Sequence, residues 1–285
     1  MTKENSLYAH ILNKLLHNRV PLEECTQIDV PLFLKSVRQE GADIFEKEGF
    51  LYWNHKSGFG LHTLSARISA PIYFMETCSS TNERAREAIK KSNIDEGIFV
   101  ARNQTAGRGR LGRAWLSDQE KSLTCSLVVT PDVPMEKVAC CSLVWMAEIA
   151  HRLDLFVKWP NDLVNLSGEK IAGCLVELVD DKPTLIFGLG VNVYDEYPIL
   201  ETASSLVLEK KLLSRTELLE MICDVVYKTS DFSLERWRSR ALYMGRRVHV
   251  RDIEGIMIGI RDDGALLIDE HVIFTGDVEL VEDRR

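Results

Sequence analysis

Residues 107–115, with the sequence GRGRLGRAW, constrain the fold of this chain more than any other segment. They lie between residues 97–101 and residues 123–130, two runs of apolar and β-branched residues that predict strands. The segment is therefore predicted to be a loop that joins two strands. Because the chain carries a formal net charge of −8, this local excess of arginine indicates that the loop binds an anion.

The residue types in the loop suggest which anion it binds. Glycine lets a backbone approach a ligand closely, and arginine offers two parallel donors to a carboxylate or phosphate. Trp115 adds an aromatic surface, so a nucleotide would match all three features. The loop is not a Walker A motif, because no Gly-Lys-Ser/Thr sequence ends it. A solvated mobile loop and an electrostatic contact with RNA are the alternatives.

Length and composition indicate a soluble, cytoplasmic protein. The 285 residues suffice for about two domains, and 45% hydrophobic with 27% charged residues is ordinary for a globular protein. Seven cysteines without a CxxC pair favour reduced thiols over a disulfide framework or a zinc site. No secretory signal and no apolar run of roughly 20 residues is present, so no membrane contact is expected.

Residues 1–66 resemble a winged helix-turn-helix, which is a DNA-binding arrangement. The periodicity predicts a helix over 7–17, a second helix that begins at the N-cap Asp29, and a β-hairpin that turns at residues 54–58. Lys35 and Arg38 on the second helix and Lys56 in the turn would contact DNA. Seven cationic residues against eight acidic ones make the unit slightly acidic, so a structural cap that binds no DNA is the alternative.

After residue 66, short polar segments alternate with apolar segments that predict helices and strands. Ser80 and Glu83 fit a capping box at the start of a helix, although a helix N-terminus is also suited to bind a polar ligand. Residues 135–153 predict a helix with a buried face, and 170–179 with 184–193 predict an apolar β-hairpin. From residue 246 onward, short alternating runs predict a small antiparallel barrel.

Five motifs in order resemble those of biotin protein ligases, in the bacterial form that is also the biotin-operon repressor. They are STN at 80–82, QTAGRGRLGRAW at 104–115, VKWPND at 157–162, EKIAG at 169–173 and GLGVN at 188–192. The resemblance implies an α+β fold with three domains. These are a winged helix-turn-helix at 1–66, a mixed-sheet domain similar to class II synthetases at 67–238, and an SH3-like β-barrel at 239–285.

The resemblance also implies a two-step reaction. Biotin and Mg-ATP give biotinyl-5′-AMP and pyrophosphate, and a lysine of a carboxylase biotin carrier domain then takes the biotinyl group. ATP and biotin would be substrates, Mg²⁺ a cofactor without a protein-only metal site, and operator DNA and a second copy of the chain further partners. Adenylation brings a carboxylate against a triphosphate, so cations must neutralise both groups.

The same resemblance assigns roles to individual residues. The catalytic residues would be Arg108, Arg110, Lys170 and Asp162. The biotin-binding residues would be Ser80, Thr81, Asn82, Gln104, Gly107, Arg108, Gly109, Arg110 and Lys170. The ATP-binding residues would be Arg110, Arg113, Trp115, Lys158, Asn161, Gly190 and Asn192.

Two departures from the family's motif and two alternative functions bear on these assignments. Leu111 and Ala114 stand where basic residues occur in relatives, which bears on ATP affinity more than on activity. A lipoyl or octanoyl transferase would favour an open aliphatic pocket, whereas the STN motif and Gln104 can hydrogen-bond a ureido group. A ligand-sensing transcription factor without ligase activity is the second alternative, and the intact arginines with Lys170 argue against it.

Overall fold

The computed structural model describes most of the chain. The described residues are 10–11, 14–15, 19–39, 44–53, 64, 67–117, 121–179, 183–195, 198, 200, 202–211 and 213–281. They form an α+β structure with three sheets, as the α+β prediction requires. No helix within these ranges is both long enough and apolar enough to cross a membrane.

The N-terminal unit packs one helix against a small sheet around its own core. Its elements are a 3₁₀ helix at Leu22–Cys25, α1 at Val30–Gln39, β1 at Val20–Pro21, β2 at Ile44–Lys47 and β3 at Phe50–Trp53. The backbone N–H of Leu32 donates to Asp29 Oδ1 at 3.0 Å, which confirms the predicted N-cap. Residues 10–11 and 14–15, the described part of the first predicted helix, are helical.

The described part of this unit contains a hairpin that the sequence did not predict. Its strands β2 and β3 pair antiparallel, and the chain reverses at Glu48 and Gly49, whose φ angles of 53° and 78° are both positive. Two consecutive positive φ angles are typical of the tight two-residue hairpin turn, which explains how so short a segment can reverse. The sequence had placed the residues on both sides of this turn in a single strand, which was wrong. The turn predicted at 54–58 lies outside the described residues, as does Lys56.

A seven-stranded mixed sheet forms the centre of the molecule. Its strands are β4 (Ile72–Cys78), β5 (Gly97–Gln104), β6 (Ser122–Val129), β7 (Phe156–Lys158), β8 (Asp162–Val164), β9 (Lys170–Leu178) and β10 (Leu185–Asn192). The spatial order is β4-β5-β6-β10-β9-β8-β7, and only β4 and β5 pair in parallel among these described strands. The predicted apolar hairpin is confirmed as β9 and β10, which occupy the middle of the sheet.

Helices cover both faces of this sheet. They are α2 (Thr81–Ser92), α3 (Cys141–Leu153), α4 (Arg215–Lys228) and α5 (Glu235–Arg240), with 3₁₀ segments at Arg110–Gly112 and Met135–Cys140. The fully buried Trp145 of α3 packs edge-on against Phe187 of β10, with 5.2 Å between ring centroids. Burial of one such side chain contributes about 1.5–3 kcal/mol, so α3 is fixed firmly to the sheet.

The C-terminal unit is a five-stranded antiparallel sheet. Its strands are β11 (Arg247–Val250), β12 (Ile253–Ile260), β13 (Leu266–Ile268), β14 (His271–Ile273) and β15 (Glu279–Leu280). The order β14-β13-β12-β11-β15 is open, so within the described residues the predicted closed barrel is not observed. The two edge strands have only three and two residues, which leaves little backbone to pair across the gap.

The C-terminal sheet and the central domain share one hydrophobic core. Val248 and Leu266 belong to the same cluster of buried side chains as Trp145 and Phe187, whereas the N-terminal unit has a separate cluster. The indole Nε1 of Trp159 donates to the carbonyl of Gly264 at 3.1 Å across this contact. The segment at residues 157–162, which contains the turn between β7 and β8, is therefore held in place by the C-terminal unit.

Candidate functional site

A polar cleft with a cavity volume of about 130 Å³ lies beneath the Gly/Arg loop, the name used below for residues 107–115. The start of α2 and the strands β9 and β10 complete its walls. Most residues that the sequence assigned to the site line this cleft. They are Ser80, Thr81, Asn82, Gln104, Arg108, Gly109, Arg110, Arg113, Trp115, Asn161, Asp162, Lys170 and Gly190.

Three of the assigned residues do not line the cleft. The Asn192 amide donates to the carbonyl of Ser204 at 3.0 Å, so it ties β10 to the following segment. Lys158 ends β7 opposite Asp162. The carbonyl of Gly107 accepts a 2.9 Å bond from the Trp115 N–H, which closes the base of the loop.

Backbone hydrogen bonds fold the Gly/Arg loop into a small hairpin. The N–H of Gly109 donates to the carbonyl of Arg113 at 2.7 Å, and Arg108 bridges to Ala114. Leu111 and Gly112 form the tip with φ angles of 55° and 74°. This geometry brings the side chains of the loop arginines to one rim of the cleft.

Each cation at this rim, apart from Arg108, has an oxygen partner among the described residues. Lys170 Nζ lies 2.7 Å from Asp162 Oδ1, and Arg113 Nη2 lies 2.5 Å from Asp277 Oδ2. Arg110 Nη1 donates to Asn161 Oδ1 at 3.4 Å, a long bond. Asp162 Oδ1 has no well-directed hydrogen bond despite its closeness to Lys170, so we treat that contact as an ion pair.

Trp115 lies across β10 because residue 190 is glycine. A Cβ atom on Gly190 would lie 2.2 Å from Cε2 of the Trp115 indole, and one on Gly188 would lie 2.0 Å from Asn82 Oδ1. These separations are far below a van der Waals contact, so no other residue fits without a shift. The GLG sequence at 188–190 therefore provides space for the indole and for the Asn82 amide. The indole centre also lies 5.6 Å from Lys170 Nζ.

The opposite end of the cleft is neutral and rich in hydrogen-bonding groups. The backbone N–H of Thr81 donates to Gln104 Oε1 at 2.8 Å, and Thr81 Oγ1 lies 2.7 Å from Ser126 Oγ. Thr81, Asn82 and Ser126 are all buried. The predicted capping box of Ser80 and Glu83 is wrong, because the Glu83 carboxylate accepts from Ser79 instead. Ser80 is left to line the cleft.

Sequence reasoning missed several residues of the site. Ser126 is a buried hydroxyl within a strand of otherwise mostly apolar residues, and that anomaly was readable in the sequence. Glu177, which receives a 2.8 Å bond from Asn82 Nδ2, follows a buried stretch of β9. Asp277 comes from the C-terminal unit and gives no local signal, since only the tertiary fold brings it to the cleft.

Two cysteines line the cleft but are not suited to be nucleophiles. Burial raises the pKa of the Cys125 thiol to about 12. Burial, with the nearby Asp162 carboxylate, likewise raises the pKa of Cys174 to about 12. Both thiols therefore remain protonated and weakly reactive at neutral pH. The chemistry of the cleft rests on its cations and hydrogen-bond donors.

The comparisons with known proteins agree on one family. Residues 74–193 match the model of the biotin/lipoate A/B protein ligase family. The bifunctional ligase/repressor BirA of Escherichia coli (strain K12) is 30% identical over 272 residues, which cover 83% of this chain and 82% of that protein. Its counterpart in Bacillus subtilis (strain 168) is 29% identical over 280 residues, with 87% and 84% covered.

A solved structure shows the same similarity in three dimensions. The biotin protein ligase from Aquifex aeolicus in complex with biotin and ATP superposes with a TM-score of 0.60 at 28% sequence identity. The superposition covers 75% of this chain and 99% of that protein.

Proposed function

This chain belongs to the biotin protein ligase family, and we propose that the cleft under its Gly/Arg loop is where it activates biotin with ATP. The relatives named as biotin ligases, and a solved relative that holds biotin and ATP, make it an ATP-dependent biotin ligase. The product of activation would be biotinyl-5′-AMP. A lysine of a carboxylase biotin carrier domain would then receive the biotinyl group.

One observation carries the assignment of the cleft. Its two ends differ in chemistry, with neutral hydrogen-bonding groups around Thr81 and Gln104 and cations at Arg108, Arg110 and Lys170. Biotin has the same asymmetry, with a neutral ureido ring at one end and a carboxylate at the other. An octanoyl or lipoyl chain would leave buried polar groups unpaired at the neutral end, which costs roughly 1–3 kcal/mol for each group.

The first chemical step follows from this placement. A biotin carboxylate oxygen attacks the α-phosphorus of ATP, and pyrophosphate leaves with the electrons of the broken P–O bond. Arg108, Arg110 and Lys170 would neutralise the carboxylate and the phosphate as they approach, which stabilises the charge of the transition state. Trp115 would cover the adenine, and Arg113 would lie nearer the leaving phosphates. The protein need supply no nucleophile, in keeping with the protonated Cys125 and Cys174.

The carboxylates of the cleft fit a magnesium ion that arrives with ATP. Mg²⁺ in such sites is usually held by one or two carboxylates together with substrate phosphates. Asp162 and Asp277 are the carboxylates that line the cleft within the described part of the chain, where no group of three metal-binding side chains occurs. Of the two, Asp162 would hold Mg²⁺, which when bound would neutralise phosphate charge, because the Asp277 carboxylate is paired with Arg113.

In the second step, the amine of the acceptor lysine would attack the biotinyl carbonyl, and AMP would leave. Asp162 is well suited to this step because it is a carboxylate in the cleft. It would orient Lys170 through their 2.7 Å ion pair and accept the proton that the attacking amine loses.

The flanking units support further assignments within this proposal. Residues 1–66 would be a winged helix-turn-helix that binds operator DNA, as the ligase/repressor names of the relatives suggest. Residues 67–238 would be the catalytic domain, and residues 239–285 an SH3-like unit. A homodimer would present two DNA-binding units together, although the central domain carries all the assigned catalytic residues.

Arg110→Ala tests the assignment of the cleft. The side chain lies in a loop and supports no core, so we expect an intact fold with slower adenylate formation and faster loss of biotinyl-5′-AMP. Loss of a charge-assisted contact is worth about 1.5–3 kcal/mol, or roughly tenfold or more in retention. Pyrophosphate release and retention of labelled adenylate would be measured.

Arg247→Ala provides the matched control. Arg247 forms an exposed ion pair with Glu254 at 3.1 Å, away from the cleft. Equal adenylate synthesis and retention in Arg110→Ala and Arg247→Ala would overturn the assignment.

A further inference from the structure

A chain of hydrogen bonds runs from the protein surface to the neutral end of the cleft. Arg86 Nη2 lies 2.9 Å from Glu177 Oε1, and Glu177 Oε2 accepts a 2.8 Å bond from Asn82 Nδ2. Asn82 Oδ1 lies 2.6 Å from Ser126 Oγ, which in turn lies 2.7 Å from Thr81 Oγ1. The outer members of this chain do not line the cleft, yet they are connected to residues that do.

Glu177 determines which way the Asn82 amide faces. A carboxylate only accepts, so the atom of Asn82 beside it must be the donor nitrogen. The carbonyl of Leu175, at 3.3 Å from the same nitrogen, favours this orientation more weakly. Asn82 Oδ1 must then face Ser126, and since an amide oxygen carries no hydrogen, Ser126 has to donate to it.

The single hydroxyl hydrogen of Ser126 is thereby used, and this fixes the role of Thr81. The Thr81 hydroxyl hydrogen goes either to Ser126 Oγ at 2.7 Å or to Gln104 Oε1 at 3.2 Å. In both cases it bonds to the protein, so Thr81 Oγ1 presents only lone pairs to a bound molecule. Thr81 is then an acceptor for a ligand N–H.

Gln104 receives the complementary role. Its Oε1 accepts the Thr81 N–H at 2.8 Å, so the donor nitrogen Nε2 is the part of the amide that remains for a ligand. An acceptor next to a donor matches a ureido group, which has N–H groups next to a carbonyl. The polarity of the Thr81 hydroxyl therefore depends on a carboxylate that does not line the cleft, whereas that of Gln104 is fixed by the backbone N–H of Thr81.

We propose that Glu177, held by Arg86, is a positioning residue that fixes the Thr81 hydroxyl as a hydrogen-bond acceptor and so selects a ligand with an N–H group, such as a ureido ring. This inference rests on the proposed function, because it concerns how the same cleft recognises biotin. Glu177 touches no substrate and acts through Asn82 and Ser126.

Calorimetric titration of the full chain with biotin and with its cyclic carbonate analogue tests this inference. The carbonate has ring oxygens, which only accept hydrogen bonds, where biotin has its two N–H donors, and it keeps the carbonyl that Gln104 would bind. Glu177→Leu should raise the Kd for biotin about tenfold, as expected when a hydrogen bond to a charged group is lost. The Kd for the carbonate should change less than twofold, so the preference for biotin falls roughly five- to tenfold. A general loss of structure would weaken both ligands equally.

Three further variants complete the experiment. Glu177→Gln keeps an acceptor oxygen for Asn82 and should restore a near-normal preference. Arg86→Met removes the surface ion pair and should reduce the preference about threefold, which preserves the test if Glu177→Leu does not fold. Glu87→Leu is the control, because Glu87 pairs with Arg84 on the same helix without contacting Asn82.

The outcomes separate the two claims. If the unaltered protein binds no biotin, the proposed function fails. If it binds biotin and the preference is unchanged in both Glu177→Leu and Arg86→Met, the proposed function stands and the role of Glu177 is overturned. In turnover assays, a rise in KM for biotin with constant kcat and constant KM for ATP would support the positioning role, whereas a fall in kcat alone would contradict it.

Discussion

The position of the Trp115 indole depends on the absence of a side chain at Gly190. A Cβ atom at position 190 would lie 2.2 Å from the indole, so Gly190→Ala must displace Trp115. We expect the KM for ATP to rise about tenfold, because stacking on an aromatic ring is worth about 1–3 kcal/mol per base. Biotin binding should be little affected.

The double variant Gly190→Ala/Trp115→Ala isolates this effect. If the alanine at 190 acts only through the indole, the substitution should add nothing to Trp115→Ala. Steady-state KM values for ATP would be compared in all four proteins. Independent, additive losses would show that Gly190 has another role.

At this scale the sequence predicted residue types well and hydrogen-bond partners poorly. The three arginines of the loop and Gly109 line the cleft, as their residue types predicted. Ser80 was assigned to a capping box, but Ser79 forms the bond to Glu83. A serine one residue earlier can reach the same carboxylate, and the sequence does not distinguish the two. At Ser214 and Glu217 the same sequence pattern does form a capping box.

The contact between the Gly/Arg loop and the C-terminal unit leads to a prediction for Asp277. This carboxylate pairs with Arg113 and would compete with ATP phosphates for that cation. Asp277→Asn should therefore lower the KM for ATP by about two- to fivefold, in keeping with the small energies of partly exposed ion pairs. Initial rates at varied ATP would measure the change.

Asp262→Asn is a suitable control for this prediction. Asp262 belongs to the same C-terminal unit as Asp277, pairs with Arg238 of α5 at 3.1 Å and does not line the cleft. A KM for ATP that stays constant or rises in Asp277→Asn would contradict the competition.

Helices and strands with a clear hydrophobic period were predictable, whereas contacts between segments far apart in the sequence were not. The apolar strands β9 and β10 and the helix α3 follow directly from their patterns. The hairpin at Glu48 and Gly49 was missed because its strands are only four residues long and the turn lacks the usual Asn-Gly sequence. The open order of the C-terminal sheet depends on long-range packing that no local pattern contains.

For the whole molecule, the open question is whether the N-terminal unit binds DNA. Lys35 is exposed on α1, while Lys14 pairs with Glu24 at 2.6 Å and Lys47 with Glu48 at 3.8 Å. The side chain of Arg38 and all of Lys56 lie outside the described structure. Few cations among the described residues of this unit are therefore available for phosphates, and we expect weak nonspecific binding with a shallow salt dependence.

A mobility-shift titration on the DNA upstream of the organism's biotin genes would measure this binding, with and without biotin plus ATP. We expect a shift that ligand strengthens, and that Lys35→Glu weakens. No shift at micromolar protein and low salt would leave residues 1–66 as a structural cap. Ligase activity should be the same for Lys35→Glu and the unaltered protein.

The most direct test of the central claim is transfer of biotin to a carrier. The full chain would be mixed with a carboxylase biotin carrier domain, biotin, ATP and Mg²⁺, and the mass of the carrier followed with time. We predict addition of one biotinyl group to one lysine, dependent on ATP, with AMP and pyrophosphate released. Octanoate or lipoate in place of biotin should not be transferred. A carrier that gains no biotin, or that gains octanoyl or lipoyl groups as readily, would contradict the account.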